Sequence, residues 1–179
     1  MRAVIKGKRV TLRRPQMKDA DVITEYCQDK ALHKYTIRIP WPYKRKDAVW
    51  WVKDAAERWK TKTGYCYVIM RQGVVVGVID LRPEKGDKAS FGYWIGQPYW
   101  GQGFATEATK LLIKEGFKTL KLNKIFATHN PKNPASGKVM EKVGMKYEGL
   151  LRDHEKKGKK YVDEVYRSIL RREYRHRNS

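Results

Sequence analysis

Cysteine is nearly missing from this 179-residue chain: only Cys27 and Cys66 occur, too few to form a disulfide framework. No Cys/His spacing resembles a zinc site, so no metal is expected. No apolar run approaches the roughly 20 residues of a membrane-spanning helix, and the opening Met1-Arg2-Ala3-Val4-Ile5-Lys6 lacks the apolar core and cleavage site of a secretory signal. A cytoplasmic location and no membrane partner are the expectations. Repeats and low-complexity linkers are lacking too. One domain over 1–179, with its core at about 8–172, is therefore expected, and 21.1 kDa leaves no room for a second catalytic domain. Acidic residues are scarce: 19 Asp and Glu face 40 Lys and Arg, for a net charge of +21. Such an excess attracts polyanions such as RNA, with dense runs at Lys156-Lys157-Gly158-Lys159-Lys160 and at 171–177. It equally suits a charged, stabilising surface.

Hydrophobic residues make up 41% of the chain, enough for a globular core despite a mean hydropathy of -0.75. Val10-Thr11-Leu12 reads as a strand, and Asp19 to Ile23 as the acidic first turn of a helix. Asp47 is read as the cap of a second helix, whose apolar face is Ala48, Trp51, Val52, Ala55, Ala56 and Trp59. Tyr65 to Met70 and Val74 to Leu81 read as strands joined at Arg71-Gln72-Gly73, with a polar turn over Pro83 to Lys88 and a strand over Ser90 to Ile95. A long helix from Gly103 to about Leu120, a strand over Lys124 to Thr128 and a helix over Ala135 to Val143 follow. Strands over Lys146 to Leu151 and Tyr161 to Leu170 close the chain around a basic turn.

The most informative stretch runs from Tyr93 to Ala108, where an aromatic strand becomes a glycine-punctuated loop and then a helix. The first amides of a helix lack internal partners and carry the positive end of its dipole, so backbone N–H groups of Gln102 to Thr106 can converge on a pyrophosphate. Gly101 and Gly103 leave room for close approach or a left-handed turn, and Ala105 is small. The same glycines also suit a strand-to-helix turn that binds nothing.

Gly103 and Ala105 fit the final two positions of a pattern in which Arg or Gln is followed by two residues, Gly, one residue, then Gly or Ala; Trp100 stands at its first position. Asn133-Pro134-Ala135-Ser136 with Met140, Lys142 and Gly144-Met145 forms a second block. Pro40-Trp41-Pro42-Tyr43 with Trp50-Trp51-Val52 forms a third, and Tyr147 to Arg152 with Tyr161-Val162-Asp163 a fourth. These blocks, spread from Leu12 to Tyr166, resemble the GNAT N-acetyltransferases, in particular their ribosomal-protein N-terminal acetyltransferase branch. The resemblance implies an α/β (α+β) fold. Its mixed, mostly antiparallel sheet has six to seven strands, helices on both faces and a splayed central pair, the strands ending at Trp94-Ile95 and at Thr128-His129.

The resemblance further implies acetyl-CoA as co-substrate, contacted by Trp94, Ile95, Gly101, Gln102, Gly103, Phe104, Ala105, Thr106, Asn133 and Ser136. Ser136 is the candidate proton donor to the thiolate, with helix capping as its alternative. Glu155 is the candidate base, with a solvated carboxylate paired to a lysine as the alternative, and His154 stands next. Glu107 is assigned to the helix dipole and packing. Trp41 and Tyr43 either stack on the acceptor or pack. The acceptor expected is a protein N-terminus, such as that of a ribosomal protein; a polyamine or other small amine is the runner-up. A basic RNA- or ribosome-binding protein with a vestigial site is the alternative of another kind. Monomer and homodimer are both open.

Overall fold

In the computed structural model, which describes residues 1–178, two short strands open the chain, β1 (Val4–Lys6) and β2 (Thr11–Arg13). Three helices follow, α1 (Ala20–Cys27), α2 (Lys30–Tyr35) and α3 (Arg45–Thr61). An antiparallel meander of β3 (Tyr65–Arg71), β4 (Val74–Glu84) and β5 (Lys88–Ile95) then leads to α4 (Phe104–Leu120), β6 (Lys124–His129) and α5 (Pro134–Lys142). The hairpin β7 (Lys146–Lys157) and β8 (Lys160–Leu170) precedes α6 (Arg171–Asn178). Neighbouring strands run β1-β2-β3-β4-β5-β6-β8-β7, antiparallel except for β5 with β6. The mixed, mostly antiparallel sheet is as expected, with β1 the additional strand.

Alternation along the strands splits the core in two. On β3, Tyr65, Tyr67 and Ile69 enter one cluster and Val68 the other. The first cluster takes Phe104, Ala108, Leu112, Ile113 and Phe117 from α4; the second takes Ala20, Ile23 and Cys27 from α1 with Ala48 and Val52 from α3. Helices therefore cover both faces. Cys27 and Cys66 are buried and unlinked, and burial pushes both thiols up to about 12.

Several boundaries differ from the sequence reading. Asp47 is the third residue of α3 rather than its cap, and its carboxylate accepts the Lys44 N–H at 2.7 Å. The buried stripe of α3 is Ala48, Val52, Ala55 and Trp59, leaving Trp51 half-buried and Ala56 exposed. Pro83 lies in β4, not in a turn. Pairing with β3 ends at Leu81, so the edge facing Pro83 needs no N–H. β7 continues past Leu151 through a bulge between Leu151 and Glu155 and carries Glu155 on a strand. Helices α2 and α6 are too short for periodicity to announce; Asp29 caps α2, accepting the Ala31 N–H at 2.7 Å.

Two local details hold these elements together. Glu107, in the first turn of α4, accepts the backbone N–H groups of Arg9 at 2.7 Å and Val10 at 3.2 Å and the Arg9 Nε–H at 2.9 Å, stapling the β1–β2 connection to the helix. Partial burial works to raise its pKa, but these donors outweigh it and hold the carboxyl below the ordinary glutamate range. On β4, Gly77 lets β5 approach closely, because a Cβ there would stand 2.3 Å from the Trp94 carbonyl oxygen.

Gly77→Ala is expected to lower stability by about 1–3 kcal/mol, since backbone rather than a yielding side chain must move; denaturant midpoints check this, and an unchanged midpoint would refute it. For Glu107 the sign follows from its depressed folded pKa. Its stabilisation is present above the unfolded value of about 4.3 and is lost as pH falls through the folded value. Glu107→Gln should therefore be less stable than wild type at neutral pH, with the gap closing below about pH 4. A gap that stays constant on acidification would remove the ionised carboxylate from the account.

Candidate active site

β5 and β6 pair only at Lys88↔Lys124, Ala89↔Ile125 and Ser90↔Phe126. Beyond Ser90, β5 follows β4 to Gly77↔Ile95 while β6 follows β8 to His129↔Val165. Each strand keeps its outer partner and leaves its inner one, so the backbone edges of Phe91 to Ile95 and Ala127 to His129 face a gap. This is the splay that the resemblance implied. A cleft of about 1020 Å³ runs through it and is lined from both faces of the sheet.

At one end of the cleft stands the N-terminus of α4. Gly101 and Gly103 have φ of +74° and +80°, and no side chain caps the helix. Gly101, Gly103, Phe104, Ala105 and Thr106 line the cleft, as do Trp94 and Ile95. The Gln102 side chain turns aside: its Nε2–H donates to the Pro98 carbonyl at 3.0 Å and its Oε1 accepts from Arg71 at 3.4 Å. Trp100 donates its indole N–H to the Ile95 carbonyl at 2.6 Å, tying the loop to the end of β5. Arg9 and Arg71 place their guanidinium groups over the Phe104 ring, at 5.3 Å and 4.9 Å from its centroid. Their distance along the chain from the glycine loop hid both from the sequence reading.

α5 supplies the next pair. Asn133 is the helix cap, its Oδ1 accepting the Ser136 N–H at 3.3 Å with Pro134 at the first helical position. Capping therefore falls to Asn133, and the Ser136 hydroxyl is left free to lie 2.9 Å from the Tyr93 hydroxyl. Burial pushes the Tyr93 phenol up to about 12, against the smaller opposing effect of the Ser136 hydrogen bond. Tyr93 points to the face opposite Trp94, as neighbours on a strand do. His129 is buried at the end of β6 with Nδ1 3.0 Å from the Asn130 carbonyl, and burial lowers its pKa.

On the α1–α3 face, Tyr43 lines the cleft as part of the second core cluster. Trp41 does not line it; 42% exposed, it stacks on His33 with ring centroids 4.7 Å apart. Glu155 lines the cleft and pairs with Arg38 at 3.4 Å, not with a neighbouring lysine. Two further carboxylates that the sequence reading missed line it as well. Asp80 accepts the Gly92 N–H at 3.0 Å and faces Arg82 at 3.4 Å, while burial raises its pKa. Glu164 is buried. Both lie on strands, Asp80 on β4 and Glu164 on β8.

The family model described as an acetyltransferase (GNAT) domain matches residues 9–146. The chain is 32% identical to the N-acetyltransferase p20 of Bacillus licheniformis, over 93% of this chain and 96% of that one. It is 28% identical to YdaF of Bacillus subtilis, named for ribosomal N-acetylation, over 94% of each. A GNAT-family acetyltransferase structure from Bacillus anthracis superposes with a TM-score of 0.83 at 29% identity, covering 93% of this chain and 98% of that one. With the splayed sheet, the uncapped helix and these likenesses together, the chain belongs to the GNAT family of acetyltransferases.

Proposed function

We propose that this enzyme transfers the acetyl group of acetyl-CoA directly to the α-amino group of a protein N-terminus, such as that of a ribosomal protein. The observation that carries the reading is the gap between β5 and β6, which joins the open N-terminus of α4 and the Ser136–Tyr93 pair on one face to a second chamber under α1–α3 on the other. Two reactants can meet there from opposite sides without exchanging places. YdaF, by its name, supports the protein acceptor, and the net charge of +21 favours approach to an RNA-rich particle.

The residues present fit the co-substrate. The amides of Gln102 to Thr106 are the cradle for a pyrophosphate, and the absence of Cβ atoms at Gly101 and Gly103 keeps the backbone open. Arg71 adds positive charge beside it, while Arg9 is paired with Glu107. The exposed edge at Trp94 and Ile95 offers backbone groups to an extended pantetheine arm, as an added strand would use them. Asn133, whose Oδ1 is taken by capping, keeps its side-chain NH₂ for an amide carbonyl. The thioester brings an already activated acyl group, so no covalent acyl-enzyme is needed. Orientation of amine and thioester supplies much of the rate, about 7–11 kcal/mol when near-attack geometry is reached. Ser136 holds a hydroxyl proton in the cleft for the leaving thiolate, and the Tyr93 phenol behind it, protonated at rest, passes its proton to Ser136 and regains one from water in the cleft.

Labelled acetyl-CoA offered with a panel of peptide N-termini, polyamines and small amines tests the acceptor. Transfer to peptide α-amines, read by mass spectrometry, is expected; transfer confined to polyamines, or RNA binding without any transfer, would overturn the reading. Gly103→Val should abolish acetyl-CoA binding in calorimetry while the fold persists, because a side chain at φ +80° is strained and would fill the cradle. Unaltered affinity would refute the cradle. Ser136→Ala should lower turnover more than it raises the acetyl-CoA KM, since proton donation matters chiefly in the transition state. Normal turnover per folded molecule would reject the acid role.

A further inference from the structure

Of the carboxylates in the cleft, Glu164 is the one without a partner. Its side chain is 7% exposed and, among the described residues, receives no hydrogen bond or ion pair. By contrast, Asp80 is held by the Gly92 N–H and Arg82, and Glu155 by Arg38. The Glu164 oxygens keep contact with solvent through the cleft, and a cation with N–H groups can replace that water beside a carboxylate that no protein donor occupies. The bulge in β7 brings Glu155 and His154 next to Glu164, so that one ligand atom of each lies within 4.8 Å of the others. Burial decreases outward through the trio: Glu164 is buried, Glu155 half-buried and His154 exposed. From β6, His129 lies close enough to Glu164 for the carboxylate to oppose the lowering of the imidazole's pKa by burial. A divalent metal is the less fitting occupant, because the Arg38 guanidinium already stands on Glu155 and would repel a double charge. A primary ammonium brings one charge and three donors.

We propose that Glu164 is the receptor for the acceptor's ammonium group and that Glu155 and His154 pass its proton to solvent, an inference that rests on the N-acetyltransferase reading of the cleft. The N–H bond of the ammonium breaks, its electron pair stays on nitrogen, and the proton moves to a Glu164 oxygen. It leaves by way of the Glu155 carboxylate and the His154 ring to water, and the neutral amine is then free to attack the acetyl carbon. Glu164 touches the substrate; Glu155 and His154 act through it.

The test uses Glu164→Gln in the full chain with a peptide accepted by the wild type, over pH 6 to 9.5 and at saturating acetyl-CoA. An α-amine has a pKa of about 8 in solution, so it arrives already neutral at high pH. The variant should lose about 10²–10⁴-fold in kcat/KM for the amine at pH 6, the loss should shrink towards pH 9.5, and acetyl-CoA affinity by calorimetry should be unchanged. Glu164→Asp should recover part of the rate and serves if the glutamine variant fails to fold. A wild-type rate at pH 6, an equal loss at every pH, or a wild-type rate that chelator abolishes and a divalent ion restores would each overturn the proposal. A wild type that acetylates no amine in the panel would instead overturn the acetyltransferase reading of the cleft.

Discussion

The sheet gives up hydrogen bonds at its centre, and the functional architecture depends on that surrender. After Ser90 and Phe126, β5 and β6 stop pairing although both strands continue. Unpaired backbone groups in a buried place are expensive, so the gap survives only because each strand is held firmly from its outer side, β5 by β4 and β6 by β8. Gly77 permits the first of these attachments to remain close up to the end of β5. The backbone groups left over form a ready edge for an extended ligand, and folding has already met the cost of exposing them.

Around this opening the chain assigns positioning and chemistry to different groups. Glu107 is spent on stapling Arg9 and Val10 to α4, Trp100 on fastening the glycine loop to Ile95, and Asn133 on capping α5. Those engagements free the α4 amides and the Ser136 hydroxyl from structural duty. On the opposite face, arginines neutralise Asp80 and Glu155. In a protein of net charge +21, the cleft still gathers Asp47, Asp80, Glu155 and Glu164 among its lining residues.

Much of this was legible in the sequence, for identifiable reasons. The Tyr93 to Ala108 stretch announced strand, glycine loop and helix because each has a local signature, and α4 begins at Phe104, one residue after the expected start. Seven of the eight strands were readable as short β-rich runs between turn residues, whereas β1 was not. Legibility failed where a residue's role depends on a partner far along the chain. Arg9 reaches Gln102 and Glu107, Arg38 reaches Glu155, and Tyr93 meets Ser136 only after two elements have packed. Trp41, which the resemblance put on the acceptor side to stack or to pack, has its ring on His33 and does not line the cleft. Glu164 fell within a run read only as a closing strand, and its burial in the cleft emerges only in the folded chain.

The burial of both cysteines bears on how the enzyme can be followed. With their thiols pushed up to about 12, the reactive thiolate fraction at pH 8 is on the order of one in ten thousand. A disulfide dye added to a turnover mixture will therefore colour with the coenzyme thiol released at each cycle and draw almost nothing from the native polypeptide. Continuous optical monitoring needs no cysteine-free variant, and a rising protein background in such a trace would report loss of the packed interior.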